Sequence, residues 1–580
     1  MKLKYAIISI AIMLWSLSSF AQGGLDVKHL SASHTMVRVL SSDRYVLLPV
    51  QEDAREATVQ VLVNTVSCQS SRVRLAVDRT DYYVPLDLGS WSGKDIVIDV
   101  VRAAERGSGR SISADSCWKG ISTSNAFESP NKDYYRPKMH FTPAYGWMND
   151  PNGLVYKDGE YHLFFQHNPY GSMWGNMTWG HAVTRDFIHW DQLPNAIMAD
   201  ALGAVFSGSA IVDKENVAGF GRGAIVAMYT SSGSSQTQSL AYSLDGGRTF
   251  TKYSGNPVIV ADIPDFRDPK MFFDEKSGKW KVILASGQEV RFYASSNLKD
   301  WTYESSFGLS YGNHGGVWEC PDIVRFGDKD VLIVNINPGG PFGGSATQYF
   351  VGKYDGHDFI CDDAPSTEKW MDYGKDHYAT VTWSNVPDGR HLAIAWMSNW
   401  EYGNVVPTQQ YRSANSIARD LSLKPKDGSY IMCSSPVKEM LSLRGTPSSK
   451  TFKKGSVSVP SGCSEIVLSF PSSSSKSVFT LSNSKGEKVT LTYDPSGRCF
   501  SMDRSGSGVT SFSDKFPCVT VAPTTPGGKV QIRIFIDTCS MEIFGDDFAM
   551  TNLVFPTQPY DTFEVQGASR TSVTVYPLNI

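Results

Sequence analysis

Three acidic residues recur against a common frame in this sequence, each with a proline one or two places further on. Asp150-Pro151 lies 15 residues before Phe165, Asp268-Pro269 lies 16 before Leu284, and Glu319-Cys320-Pro321 lies 15 before Val334. Each of those three anchors ends a similar apolar run, Gly159-EYHLFF, Gly278-KWKVIL and Asp328-KDVLIV. Taken singly, Asp-Pro is a turn signal. Taken together, acids at one phase of a repeated unit would converge, and like charges brought together repel and raise one another's pKa. Stability alone gives no reason for such a cluster, but glycosidic cleavage does. That reaction needs one carboxylate ionised and another protonated near neutral pH. A pair about 5 to 5.5 Å apart supports a covalent intermediate and retention of configuration.

The elements that must hold the acids follow from the same frame. Gly221-RGAIVA and Asp388-GRHLAIA extend the set of turn-plus-strand segments to five, with separations of 62, 57, 50 and 61 residues between aligned positions. A second strand and polar turn, closed by Trp190, Phe250, Trp301 and Phe359, follows each of the first four. Four short strands fit in such a spacing. Radial repetition of a small sheet makes a propeller, so an all-β fold with five blades is expected over 136–430. A β-sandwich whose strands happen to recur is the alternative, and two anchors keeping step argue against it.

The flanks read differently. Lys2 and Lys4 precede an apolar run from Tyr5 to Leu17, and Ser19-Phe20-Ala21 offers a small-x-small cut, so 1–21 is expected to be a signal peptide. No lipid-attachment cysteine follows it, since the first cysteine is Cys68; an exported protein, periplasmic or secreted, without stable membrane insertion is expected. Residues 22–130 contain strand-like runs such as Val37-RVL and Thr58-VQVLVN and are expected to form a small all-β domain, with the Ser/Gly-rich 107–124 as its edge or a linker. Residues 431–580 alternate short strands with Ser/Gly/Pro turns, the pattern of a β-sandwich. With 54 Lys+Arg against 58 Asp+Glu and no basic stripe, nothing suggests a nucleic-acid partner. Nine scattered cysteines include no metal-spaced set, and Cys68 with Cys117 is the one disulfide pairing to consider.

At these residues the chain resembles glycoside hydrolase family 32, the invertases, inulinases and levanases. The matching motifs are Trp147-Met-Asn-Asp-Pro-Asn-Gly153, Phe164-Phe-Gln-His-Asn-Pro169, Trp179-Gly-His181, Phe206-Ser-Gly-Ser209, Phe266-Arg-Asp-Pro269 and Trp318-Glu-Cys-Pro321, spread over 136–580. Trp396-Met-Ser-Asn-Trp-Glu-Tyr402 is similar to the exo-acting levanases and exo-inulinases. The resemblance implies Asp150 as nucleophile, Glu319 as acid/base and Asp268 as transition-state stabiliser. It further implies Arg267 as the cation that helps set the protonation of Glu319, and Asn149, Gln166, Trp174, Phe206, Ser207 and Trp396 as the lining of a fructose pocket, with Trp400 as the alternative to Trp396. Cys320 is expected to be a packed residue rather than a second nucleophile. His181 reads as a buried structural histidine or a pocket contact, and Asp372, Asp376 and Tyr378 as substrate contacts or not.

The function so implied is release of terminal fructose from levan, inulin or sucrose, needing neither metal nor organic cofactor. Endo-cleavage and fructosyl transfer use the same residues, and a fructan-binding propeller without catalysis is the alternative from another class. The residues before the propeller depart from the minimal family layout; they could bind glycan, shape the pocket mouth or add stability.

Overall fold

The computed structural model describes residues 20–102, 110–129, 133–460, 462–472, 475–525 and 528–580. Of the expected leader, all but Phe20 and Ala21 lies outside these, and those two pair with Val27 and Asp26.

The strands follow from alternating apolar residues interrupted by glycine and Asx turns. Five small sheets succeed one another from Gly146 to Pro436. Sheet I has Gly146–Lys157, Glu160–Asn168, Thr178–Thr184 and Trp190–Ile197, with Tyr411–Arg412 added in parallel beside Gly146 and Trp147. Sheets II, III and IV begin with Ala204–Asp213, Phe266–Asp274 and Val317–Phe326 and run outward as antiparallel meanders of four. Sheet V has Tyr378–Thr382, Leu392–Trp396, Arg419–Lys426 and Ser429–Pro436. A boundary at 430 therefore falls inside the last hairpin of sheet V. Its third strand is delayed by residues 397–418, which is why the second sequence pattern has no fifth copy. First strands of consecutive sheets touch, and the first strand of sheet V touches that of sheet I, so the five close into a ring.

Gly153 and Gly208 permit close approach along these first strands. At Gly153, φ +58°, a Cβ would sit 2.6 Å from the Phe164 ring, and at Gly208 it would sit 2.0 Å from the Met228 carbonyl oxygen.

Before the ring, six strands between Phe20 and Val101 form one sheet, and Tyr45–Val50, Tyr82–Asp87 and Ser122–Ser124 form another. They share a core of Val37, Leu48, Val61, Val84 and Ile98. Ile112, Cys117, Trp118 and Ile121 are buried in it, so the described part of 107–124 belongs to this unit's edge rather than to a free linker. After the ring, ten strands make one continuous sheet that folds across itself. Its longest strand, Thr562–Pro577, pairs first with Ser477–Ser482 and then with Ser464–Pro471, and Phe479, Phe563, Ile466 and Val575 from both parts share one core.

All nine cysteines are free; Cys68 is exposed and Cys117 buried, so the pairing considered from sequence is not made. Among the described residues no helix is long and apolar enough to cross a membrane.

Candidate active site

Every first strand of the ring loses register at least once, that of sheet I again between Asn152 and Val155, and the three acids sit at such bulges. Pairing breaks between Met148 and Pro151, Val205 and Gly208, Arg267 and Lys270, Glu319 and Asp322, and Tyr378 and Val381. A bulge re-aims the side chains beside it. The acids lie inside the strands rather than just before them, and they are out of step with one another. Glu319 is the last paired residue before its bulge, Asp268 lies within its bulge, and Asp150 immediately precedes the resumed pairing at Pro151. Asp268 and Cys320 take φ of +64° and +43°, conformations that L-residues adopt at a cost of the order of 1 to 3 kcal/mol. Hydrogen bonds hold them there: the Asp268 amide donates to Thr230 Oγ1 (2.9 Å) and the Cys320 amide donates to Asp268 Oδ2 (2.9 Å).

The carboxylates have distinct surroundings. Asp150 is ringed by donors: Asn149 Nδ2 reaches Oδ1 at 3.0 Å, Ser207 Oγ reaches Oδ2 at 2.8 Å, and the Cys320 thiol lies 3.5 Å from Oδ2. Trp147 Nε1 donates to Asn149 Oδ1 (2.7 Å), which orients that amide. Glu319 Oε1 accepts from Arg267 Nε and Nη2 at 3.2 and 3.0 Å, and Oε2 accepts from the Tyr378 hydroxyl. Arg267 is aimed by Asp265 (2.6 Å) and Gln236 (3.2 Å) and lies 3.9 Å from Asp268.

Three acids face one nearby cation here, and their titration reflects it. Burial pushes the Asp150 and Glu319 carboxyls up; Asn149, Ser207 and Cys320 oppose this at Asp150, while Arg267 opposes it at Glu319 and the Asp150 charge adds to it. Asp268 is raised to about 7, by burial first, with Arg267 pulling down and Glu319 and Asp150 pushing up. The cluster thus keeps a proton close to neutral pH, shared by interacting sites rather than owned by one. Burial and the neighbouring acids raise the Cys320 thiol well above its usual range, so it is a neutral donor between Asp150 and Asp268, each 3.5 Å away, and not a nucleophile.

Around the acids, Gln166 is buried and its Nε2 finds no partner in the chain among the described residues. Phe206 meets Trp174 edge-on at 6.3 Å, and Trp174, 46 % exposed, is held by its amide to Asn404 Oδ1 (2.9 Å). Trp396 has no exposed surface; it packs against Trp147, Tyr378 and Trp400, and of the pair Trp400 is the partly exposed one. Below the acids the ring is filled. Pro151, Leu154, Pro269, Pro321 and Val381 leave a void of about 10 Å³, room for a water and no more.

Other candidates lie elsewhere. His181 is buried, 3.0 Å from His162 Nδ1 and stacked on Phe164 at 4.1 Å, the structural alternative. Asp372 accepts from Arg419 (2.8 Å) and Thr551, and Asp376 from Arg504, Tyr402 (2.5 Å) and the Leu553 amide, so both join the ring to the C-terminal sheet instead of facing the acids. Of that stretch only Tyr378 reaches a catalytic candidate. Asp265, Gln236 and Asn404 escaped the sequence reading. Asp265 was legible as an acid two places before Arg267; Gln236 and Asn404 come from other segments and carried no signal.

Residues 140–436 match the family described as "Glycosyl hydrolases family 32 N-terminal domain" and 439–579 its C-terminal counterpart, while 31–139 match a "Domain of unknown function (DUF4980)". A levanase of Bacillus subtilis (strain 168) is 44% identical over 478 residues, 77% of this chain and 70% of the relative. An extracellular exo-inulinase of Aspergillus awamori is 38% identical over 498 residues, 76% of this chain and 92% of the relative. The solved exo-inulinase structure from A. awamori superposes with a TM-score of 0.73 at 35% identity, covering 78% of this chain and 99% of that one. A fructofuranosidase from Schwanniomyces occidentalis complexed with fructose superposes with a TM-score of 0.71 at 32% identity, covering 78% and 100%.

Proposed function

The chain belongs to glycosyl hydrolase family 32, and from that premise we propose that it releases terminal fructose from β-fructans and sucrose by double displacement. It is a glycoside hydrolase, and the relatives named levanase and exo-inulinase point to levan and inulin as its polymers. The observation that carries the reading is the division of labour between two carboxylates. Burial raises both carboxyls, but at Asp150 donors from Asn149, Ser207 and Cys320 favour the ionised form, and that charge pushes Glu319 further up against Arg267 and Tyr378, which pull it down.

In this reading Asp150 attacks the anomeric carbon while Glu319 protonates the departing oxygen. Glu319 then takes a proton from water, which releases fructose with retained configuration. Asp268 binds fructose hydroxyls, and Arg267 and Tyr378 hold Glu319 in line. Asn149, Gln166, Phe206, Ser207 and Trp174 form the pocket, with Trp400 in place of the wholly buried Trp396. A filled floor under the acids suits a pocket that receives a chain end. The ring is best described as a five-bladed propeller ending at Pro436, with the residues after it as a supporting sandwich and 22–130 as an accessory domain. The cleavable leader at 1–21 and the extracellular relatives favour export.

The test is sugar release from levan, inulin and sucrose, resolved by chromatography over time. Fructose alone from the start, with activity reduced by roughly five orders of magnitude in Asp150→Ala, is the expected result. Oligosaccharides appearing first would replace this reading with endo-cleavage or transfer, and an active Asp150→Ala would remove the site assignment.

A further inference from the structure

A long groove runs where the N-terminal sheets meet the outer strands of sheets I and II. Its catalytic side, about 830 Å³, is bounded by Tyr45, Trp91, Phe127 and Tyr145 on one flank and by residues 192–200 and 248–252 on the other. A second stretch of about 800 Å³ continues it across the N-terminal sheets, and Arg44, Asp87 and Ser90 line both. A single compact ligand fills 300 to 1,000 Å³; two such volumes joined end to end suit an extended one.

The lining indicates an uncharged, hydroxyl-rich occupant. On the catalytic side all three cations are paired: Arg44 with Asp87 (2.8 Å), Arg248 with Glu160 (2.6 Å) and Lys252 with Asp200 (2.7 Å). No free positive charge remains there for a phosphate or an acidic polymer. Tyr45, Trp91, Phe127 and Tyr145 are each half-buried, with part of a ring open to the groove, and Phe127 props Tyr145 edge-on at 5.1 Å. Aromatic faces beside hydrogen-bonding groups are the means by which proteins hold neutral sugars.

The walls of the groove are continuous in sequence with segments that line the proposed pocket, and they are built in advance. Pro169 and Tyr170 in its wall begin the loop that carries Trp174, and Met198 to Asp200 begin the link that delivers Phe206. The N-terminal sheets grip that loop at three places. Gln69 Nε2 donates to the Tyr170 hydroxyl (2.5 Å), the Arg72 amide donates to Asn176 Oδ1 (2.8 Å), and the Ser172 amide donates to the Tyr82 hydroxyl (3.2 Å). Arg412 beside sheet I reaches Glu52 at 3.3 Å. The two walls therefore keep a fixed alignment with the acids.

We infer that this groove is a second binding site for β-fructan, which holds a stretch of the polymer away from the unit being cut. It rests on the function proposed above but can fail separately. The full chain silenced by Asp150→Ala is run by affinity electrophoresis through gels containing levan or inulin, with and without Trp91→Ala or Phe127→Ala. Sucrose turnover is measured for the same two variants with Asp150 intact. Polymer affinity about tenfold weaker with sucrose kcat/KM unchanged is the expected outcome. Phe127 lies outside the buried cores, so this variant stands in if Trp91→Ala does not fold. Undiminished polymer affinity in a folded variant overturns the groove, as does an equal loss on sucrose. Absence of any fructose release by the unaltered protein would instead overturn the proposed function.

Discussion

Asp150 and Glu319 are tuned by hydrogen bonds that can be removed one at a time. Ser207 donates to Asp150 at 2.8 Å and Tyr378 donates to Glu319, and each bond favours the ionised form of its carboxyl. Ser207→Ala should therefore raise the Asp150 pKa and move the acidic limb of kcat/KM upward, with kcat lowered some tenfold or more. Tyr378→Phe should raise the Glu319 pKa and carry the alkaline limb upward instead. Full pH–rate profiles on sucrose check both, and movement of the same limb in both variants would break the assignment. At this scale the sequence was informative where acids recur against a repeated frame, as with the candidates Asp150, Asp268 and Glu319, although each sits one residue out of step with the next. It was silent on Asn404 and Gln236, because common amides from distant segments leave no local pattern. It was ambiguous at Trp396 and Trp400, since spacing alone does not say which of two neighbouring indoles is covered.

The elements of the ring were legible because an apolar strand after a glycine or Asx turn recurs five times. The bulges were not, because a register break depends on both paired strands, and so the acids' one-residue offsets appear only in the paired sheet. Also hidden was the bond between the approach to sheet I and the C-terminal sheet. His140, wholly buried, lies 2.8 Å from Asp537 and 2.9 Å from Glu542, and Glu542 also accepts from Arg419 (2.7 Å). Burial lowers the His140 pKa, but the two carboxylates outweigh it and hold it at about 9. A pKa raised on folding gives stability that is fully present below the unfolded value near 6.5 and is lost as pH rises through about 9. The loss is on the order of 3 kcal/mol. Thermal melts between pH 6.5 and 10 should show this decline in the unaltered protein and a shallower one in His140→Gln, and equal slopes would refute the linkage.

Across the whole molecule, buried ion pairs join the ring to the C-terminal sheet. Arg504 pairs with Asp376 and Arg419 with Asp372 and Glu542, all at most 1% exposed at the side chain. Removing one partner strands the other's charge in the interior, so Arg504→Met should destabilise by about 3 to 5 kcal/mol. Calorimetry should then show the ring and the C-terminal sheet melting together at a lower temperature, with the sucrose KM at 25 °C little changed. A separate early transition for the C-terminal sheet would mean the interface is not cooperative. The filled floor of the ring has a different consequence, for the order of events in turnover. With only a water-sized void beneath the carboxylates, nothing larger than water passes through the floor of the ring. In the double displacement proposed above, the shortened polymer leaves first, water then takes its place, and fructose leaves last. A polymer end that lingers there competes with that water for the bound fructosyl group. Slow departure and a crowd of chain ends outside therefore both tip the balance from shortening chains toward rebuilding them.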